Sequence, residues 1–375
     1  MQHYSFPTNI LFGEGAVREL PAHLKSHQLN RPLVVTDPQV AQLSFFKELF
    51  NYLELKGLKP LLFSDIHGNP LKSDVQKGKE SYQQGADSIL GIGGGAAMDV
   101  SRAIALSINH HRDLFEYDEL QGGTQYITEP IPHFITVPTT SGTGSEVGRA
   151  AIISEDRTKR KRILFHPTLI AKQVFADPSL TYELPAAITA ATGMDALTHH
   201  MEAYIAKGFH PMCEGIALEG MRLIAKSLKK AVRQPDKQSR SDMMIASLMG
   251  AVAFQKGLGI VHALSHPLST LLDMHHGLAN AINLPYGLNF NYPDCKDQFQ
   301  MMAQALGLKD GSDIKAALID LNQALGLPSN LSECGVDPSQ IEDLTDLALK
   351  DFCLPANPRE ATYEDIRSLY SENII

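Results

Sequence analysis

"SILGIGGGAAMDVSRAIAL", residues 88 to 106, passes from an apolar run through Gly93, Gly94 and Gly95 into a pattern with helical spacing. A strand that ends in glycines and feeds a helix is the entry to a βαβ unit. Glycines let the backbone approach a ligand closely, and the unpaired N–H groups and dipole of a helix start favour negative charge there. A pyrophosphate site is one reading of this turn, and a tight connection that binds nothing is the other. The spacing from Gly91 superficially fits G-x-G-x-x-A, but that fingerprint places its ribose-binding acid about 20 residues downstream. Here the candidate acid, Asp37, lies upstream, at the end of "PLVVTD" (32 to 37).

On either side of this stretch the pattern repeats. "PLVVTD", "KPLLFSD" (59 to 65), "ADSILGIGGG" (86 to 95) and "HFITVPTT" (133 to 140) are short β-branched runs separated by helical patterns. Apolar runs of this kind belong to a parallel sheet covered by helices on both faces. After "DPSLTYELP" (177 to 185) the strand signals stop. "SDIKAALIDLNQAL" (312 to 325) has one-sided helical spacing, and Asp337-Pro338 with Gln340, and Thr362 with Asp365, read as helix starts. The expectation is an α/β, Rossmann-like nucleotide-binding domain over 1–185 followed by an all-α domain over 186–375.

Two domains also suit a chain of 375 residues with 43% apolar and 20% charged residues. A net charge of -9, with basic residues only in short clusters such as "RTKRKR" (157 to 162), argues against nucleic acid as a partner. The N-terminus does not read as a secretory leader, and no apolar run approaches membrane-spanning length, so a cytoplasmic protein with no membrane partner is expected. Cys213, Cys295, Cys334 and Cys353 form no C-x-x-C and read as reduced core thiols.

At the end of its strand, Asp37 can accept from both ribose hydroxyls and repel a 2′-phosphate, which favours NAD over NADP; it can equally cap the turn at Pro38. "VPTTSGTGSEVG" (137 to 148) is a hydroxyl-rich loop at another strand end, where ligands of open α/β sheets bind, or simply a turn. In the second half, "GLGIVHALSHPLSTLLDMHHG" (257 to 277) holds His262, His266, His275 and His276. His262 and His266 are four apart, as are Asp195 and His199 in "GMDALTHH" (193 to 200). Two such pairs, each on one helical face, propose a metal site. His276 lies fourteen residues past His262, about 21 Å along an unbroken helix, so Pro267 and "DMHHG" must bend the chain back if it joins. His200 and His275 read as satisfied core histidines.

These residues carry a resemblance to the iron-containing (group III) alcohol dehydrogenases. "GMDALTHHMEAY" (193 to 204) resembles that family's G-M-D-A-L-T-H-x-x-E-A-Y signature, and residues 257 to 285 its second, histidine-bearing one. "FPTNILFGEGAVREL", "HGNP", "PTTSGTGSEV" and "NPREATYEDI" are similar to its opening strand, P-N-P loop, nicotinamide loop and C-terminal helix. The resemblance implies a dehydroquinate synthase-like architecture and metal ligands Asp195, His199, His262 and His276, with His266 beside the open coordination position. It implies cofactor contacts from Asp37, Asn69, Gly94, Gly95, Asp99, Thr139, Thr140, Thr143 and Lys161. Ala96 stands where the family usually has serine and contributes only its backbone N–H, and Gly148 where it usually has threonine.

The implied activity is hydride transfer between a primary alcohol or diol and NAD, with the reverse reduction of an aldehyde, in a homo-oligomer. Imidazole and carboxylate suit Fe(II) and Zn(II); affinity order favours zinc and the family name iron. His266 is the candidate to relay the alcohol's proton. Three other readings compete. A dehydroquinate synthase-like lyase also uses NAD and a metal, but its signatures fit less well. A metal-free maleylacetate reductase would lack the ligand set, and a non-enzymatic NAD and metal sensor would turn over no alcohol.

Overall fold

The computed structural model describes Tyr4 and residues 6 to 374. Its contacts divide the chain into two units: the first holds residues 6 to 140 together with Gly144–Thr181, the second Tyr4, Ser141–Thr143 and residues 182 to 374.

The first unit carries strands β1 (Asn9–Phe12), β2 (Pro32–Val35), β3 (Leu61–Phe63), β4 (Ser88–Gly93), β5 (His133–Pro138), β6 (Ala150–Ser154), β7 (Lys161–Phe165) and β8 (Gln173–Ala176). Its helices are α1 (Leu20–Ser26), α2 (Ser44–Leu55), α3 (Lys72–Tyr82) and α4 (Gly95–Asn109). Six strands form one sheet in the order β1-β8-β5-β4-β2-β3, and every pairing in it is parallel. Burial on both faces explains the apolar runs of β2 and β4: Leu33, Val35 and Ile89 enter one core, Val34, Leu90 and Ile92 the other. Each face of the sheet is thus covered. The chain leaves β2 outward to β3 and returns to β4 on the other side of β2, so the strand order reverses between β2 and β4. That is where open α/β sheets bind ligands. The four strands expected from the sequence are present, whereas the antiparallel β6–β7 hairpin was not foreseen.

The second unit consists of α5 (Ala186–Ile205), α6 (Pro211–Arg233), α7 (Lys237–Ala253), α8 (Ile260–Leu272), α9 (His276–Asn291), α10 (Lys296–Leu306), α11 (Ile314–Leu325), α12 (Ile341–Ala348) and α13 (Tyr363–Asn373) around one core. Both capping boxes read from the sequence form; Thr362 and Asp365 open α13, while Asp337 and Gln340 open a 3-10 turn that leads into α12. Among the described residues no single helix is long and apolar enough to cross a membrane.

Candidate metal and dinucleotide sites

The buried helix α5 presents Asp195, His199 and Glu202 at i, i+4 and i+7, one face of a helix. Helix α8 contributes His262 and His266. Of the two places expected to bend the chain, Pro267 sits inside α8, and the reversal falls in "DMHHG" at Asp273, whose φ of 53° is left-handed, before α9 opens at His276. The turn, not the proline, brings His276 back.

Ligand atoms of Asp195, His199, His262 and His276 lie within 4.8 Å of one another. Asp195 Oδ1 is 3.8 Å from His199 Nε2 and 3.6 Å from His276 Nε2. Asn280, one turn after His276 on α9, directs its Nδ2 to Asp195 Oδ1 (2.7 Å), His276 Nε2 (3.1 Å) and His262 Nε2 (3.2 Å). Three lone pairs therefore converge on one small region. A carboxylate and imidazole nitrogens gathered this way are the donor set of a borderline divalent cation, so the residues fit the expected metal.

Protonation states support the fit. Burial pushes His199 down to about 4, which keeps it neutral. Burial, the largest single effect, would also lower His262, but its hydrogen bond to Glu202 together with the charges of Glu202, Asp195 and Asp351 outweighs that and raises it. His262 Nδ1 donates to Glu202 Oε2 at 2.5 Å, which leaves the Nε2 lone pair for the cluster. The same carboxylate accepts from the backbone N–H groups of Val261 (2.7 Å) and His262 (3.3 Å), so it also holds the start of α8. A carboxylate behind a ligating imidazole fixes its tautomer and strengthens it as a donor.

His266 has a carboxylate partner of its own: its Nδ1 is 2.8 Å from Asp351 Oδ2. The ring stacks on His276 (5.3 Å between centroids) and on Phe352 (5.0 Å). His200 is the packed core histidine expected, bonded to the Ala246 carbonyl at 2.8 Å. His275 is not. It is exposed and caps α9, its Nδ1 accepting from Leu278 N–H, because the sharp turn leaves it outside the helix core.

In the first unit, β4 delivers the three glycines between β2 and β5. Gly93 has φ of 150°, and a Cβ on it would lie 2.7 Å from the Ala97 Cβ and 3.4 Å from Asp37 Oδ2. A Cβ on Gly94 would crowd Thr140 Oγ1 at 3.3 Å. Thr139 N–H donates to the Gly93 carbonyl. Asp37, the glycine turn, Thr139 and Thr140 therefore stand together. No side chain caps the start of α4, so its first N–H groups remain available to an anion. This cradle fits a pyrophosphate. Asp37 caps its turn, Oδ1 accepting from Gln39 and Val40 N–H, while Oδ2 lies toward the glycine turn.

Other expected cofactor residues stand differently. Asp99 is engaged within the protein, by Ser145 Oγ (2.7 Å), Arg102 (3.2 Å) and Ile152 N–H (3.1 Å), with the charge of Lys161 acting on it. Asn69 lies in the loop leading to α3, which Asp74 holds by accepting from His67 and Leu71 N–H. Thr143 belongs to Ser141–Thr143, which groups with the helical unit; there a Cβ on Gly142 would strike Thr192. At Gly148, a Cβ would come within 3.1 Å of the Ser145 carbonyl, a local reason for glycine in this chain. Glu202, Asn280 and Asp351 were not singled out from the sequence. The first two sit at i+7 from Asp195 and i+4 from His276, a usable signal, whereas Asp351 is 85 residues from His266 and gave none.

Residues 7–178 match the family model described as iron-containing alcohol dehydrogenase, and residues 189–374 that of the Fe-containing alcohol dehydrogenase family, C-terminal. A 4-hydroxybutyrate dehydrogenase of Cupriavidus necator is 38% identical over 379 residues, covering 98% of both chains. An NAD-dependent methanol dehydrogenase of Bacillus methanolicus is 32% identical, covering 98% of this chain and 99% of that one. Among solved structures, a 1,3-propanediol oxidoreductase superimposes with a TM-score of 0.95 at 32% identity over the full length of both chains.

Proposed function

The chain belongs to the iron-containing alcohol dehydrogenase family, and from that premise we propose how its own residues carry out oxidation of a primary alcohol or diol with NAD. The observation that carries the reading is the convergence of Asp195, His199, His262 and His276, with Glu202 holding the His262 tautomer. These four residues would hold Fe(II), with Zn(II) an alternative occupant. Bound there, the ion supplies Lewis acidity that makes the alcohol hydroxyl more acidic and, in reverse, polarises the aldehyde carbonyl. NAD supplies the hydride acceptor.

The protein's part is positioning and proton handling. Glu202 and Asn280 orient the ligand atoms through bonds made within the helical unit. His266, held at Nδ1 by Asp351, takes the alcohol's proton and passes it to solvent. The uncapped start of α4, with the N–H groups of Gly95 and Ala96, receives the pyrophosphate, and Asp37 Oδ2 accepts from the adenosine ribose and repels a 2′-phosphate. Thr139 and Thr140, beside the glycine turn, serve the nicotinamide, and Thr143 is assigned as a further cofactor contact; Asn69, Asp99 and Lys161 support the cofactor loops.

We also assign the chain to the cytoplasm, which its four free cysteines support, and to a homo-oligomer. Strand β1 is an edge of the sheet and exposes Leu11 and Phe12, an apolar edge that a second copy would cover. Light scattering of the purified protein tests the oligomer. For the activity, iron-loaded protein is given NAD or NADP with methanol, 1,3-propanediol, 4-hydroxybutyrate and short primary alcohols, and reduced nicotinamide is followed by absorbance. Oxidation of none of them by metal-replete protein overturns the reading.

A further inference from the structure

Far from the catalytic ligands in sequence, the first unit carries another set of imidazoles. His23 lies in the last turn of α1, His27 directly follows that helix, and His133 is the first residue of β5. One ligand nitrogen from each lies within 4.8 Å of the other two, the same mutual closeness as the Asp195 quartet. The rings form a compact triangle, with centroids 4.5 Å apart for His23 and His27, 4.6 Å for His27 and His133, and 5.2 Å for His23 and His133.

The His27 tautomer is set for coordination, while the hydrogen bond between His23 and His133 puts a proton on one of the two facing nitrogens, whose ring must shift to its other tautomer as an ion enters. His27 Nδ1 is 2.9 Å from the His23 carbonyl oxygen. A carbonyl only accepts, so Nδ1 carries the proton and Nε2 the lone pair. His23 Nε2 and His133 Nε2 face each other at 3.0 Å. Zn–N bonds of about 2.0–2.1 Å at tetrahedral angles place ligand nitrogens roughly 3.3 Å apart, so an ion needs only a few tenths of an ångström of spreading at this pair. Burial and the neighbouring rings hold His23 below its ordinary range and His133 at about 4, so both are neutral at physiological pH. Lys172 adds to the effect on His133, a repulsion that a bound cation would also meet. Phe175 packs edge-on against His23 and limits the freedom of its ring.

We infer that His23, His27 and His133 form a second metal site, three imidazoles that take a divalent first-row ion of the zinc type and leave its remaining position to solvent at the exposed His27. Such an ion ties the end of α1 to the start of β5, residues 110 apart in sequence, and stabilises the sheet unit without entering the reaction.

The test counts metal. Wild-type, His27→Gln and His133→Gln proteins are saturated with Zn(II), freed of loose ion by gel filtration and analysed for zinc per chain by mass spectrometry. Wild type is expected to carry one more equivalent than either variant, and excess zinc to raise its melting temperature more than theirs. His27 is exposed, so its substitution leaves the fold intact. Both variants, compared at equal catalytic metal, are expected to keep wild-type alcohol oxidation. Because the reading is a difference between proteins, it stands apart from whether the catalytic quartet itself is filled. Cu(II) substituted into the extra site should show nitrogen hyperfine splitting by electron paramagnetic resonance. Equal zinc content in wild type and His27→Gln protein overturns the second site and leaves the triangle as a hydrogen-bonded histidine cluster.

Discussion

Replacing Glu202 by glutamine changes one oxygen to an amide nitrogen at a buried position. Glu202 accepts three donors: Val261 N–H at 2.7 Å, His262 N–H at 3.3 Å and His262 Nδ1–H at 2.5 Å. Glutamine keeps one acceptor oxygen, so either the backbone donors of α8 or the imidazole must face an NH2 group. The carboxylate's charge is lost as well, and hydrogen bonds to a charged group are worth about 1.5–3 kcal/mol. Loss of a carboxylate behind a ligating histidine weakens metal about 10- to 100-fold, or roughly 1.4–2.7 kcal/mol, which is of the same size. Competition with a chromophoric chelator, using Zn(II) and then Fe(II), measures this directly. Glu202→Gln is expected to hold metal at least tenfold more weakly and to recover much of its alcohol oxidation when metal is in excess. NADH binding, read by fluorescence, should not change, since Asp37 and the glycine turn belong to the other unit. Metal affinity within about threefold of wild type would refute the idea that Glu202 prepares His262 as a ligand.

Three further outcomes follow from the geometry. His276→Ala should deplete bound metal, while His275→Ala should keep it and lose only a helix cap, about 1 kcal/mol, in thermal unfolding; equal metal loss in the two would remove His276 from the ligand set. Asp37→Asn keeps an acceptor for Gln39 and Val40 but removes the charge, so NADP use should rise with little change in melting temperature; a wild-type protein that already uses both cofactors equally would contradict the role given to Asp37. Burial pushes Glu146 up to about 7, so the folded state binds its proton more tightly than the unfolded chain. Its contribution is then fully present below the unfolded pKa and is lost as pH rises through 7, about 3 kcal/mol in all. Glu146→Gln should stabilise the protein more at about pH 8 than at about pH 5, and an equal effect at both would show that Glu146 does not titrate between them.

Legibility followed sequence separation. The parallel strands could be read because buried strands are continuous apolar runs, and the metal quartet because helix periodicity puts Asp195 with His199 and an explicit motif supplies the rest. Glu202 was within reach of the same periodicity, but a glutamate on a helix reads as a solvated residue until the burial of α5 is known. Asp351 meets His266 only through the packing of the helical unit, which no local pattern encodes. Arg102 makes the same point in the first unit: in "MDVSRAIAL" it looks exposed, yet it is fully buried and donates to the carbonyls of Leu169 and Ala150. The β6–β7 hairpin escaped notice because its strands are short and "RTKRKR" reads as a polar turn, although Arg162 pairs there with Asp118 at 2.9 Å. Pro267 misled in the opposite direction, since a proline suggests a break and the helix runs through it.

All four candidate ligands lie on three helices of a single unit, and the first of them, Asp195, comes after the last strand of the sheet. Translation therefore delivers the strands and the glycine turn before any ligand of this quartet leaves the ribosome, and domains emerging in this order fold from the N-terminus onward. A nascent chain meets dinucleotide first and iron second. Acquisition of the ion is thereby a late step in biogenesis, tied to completion of the C-terminal helices, and a chain truncated before His276 would have a nucleotide cradle with no means of retaining its metal.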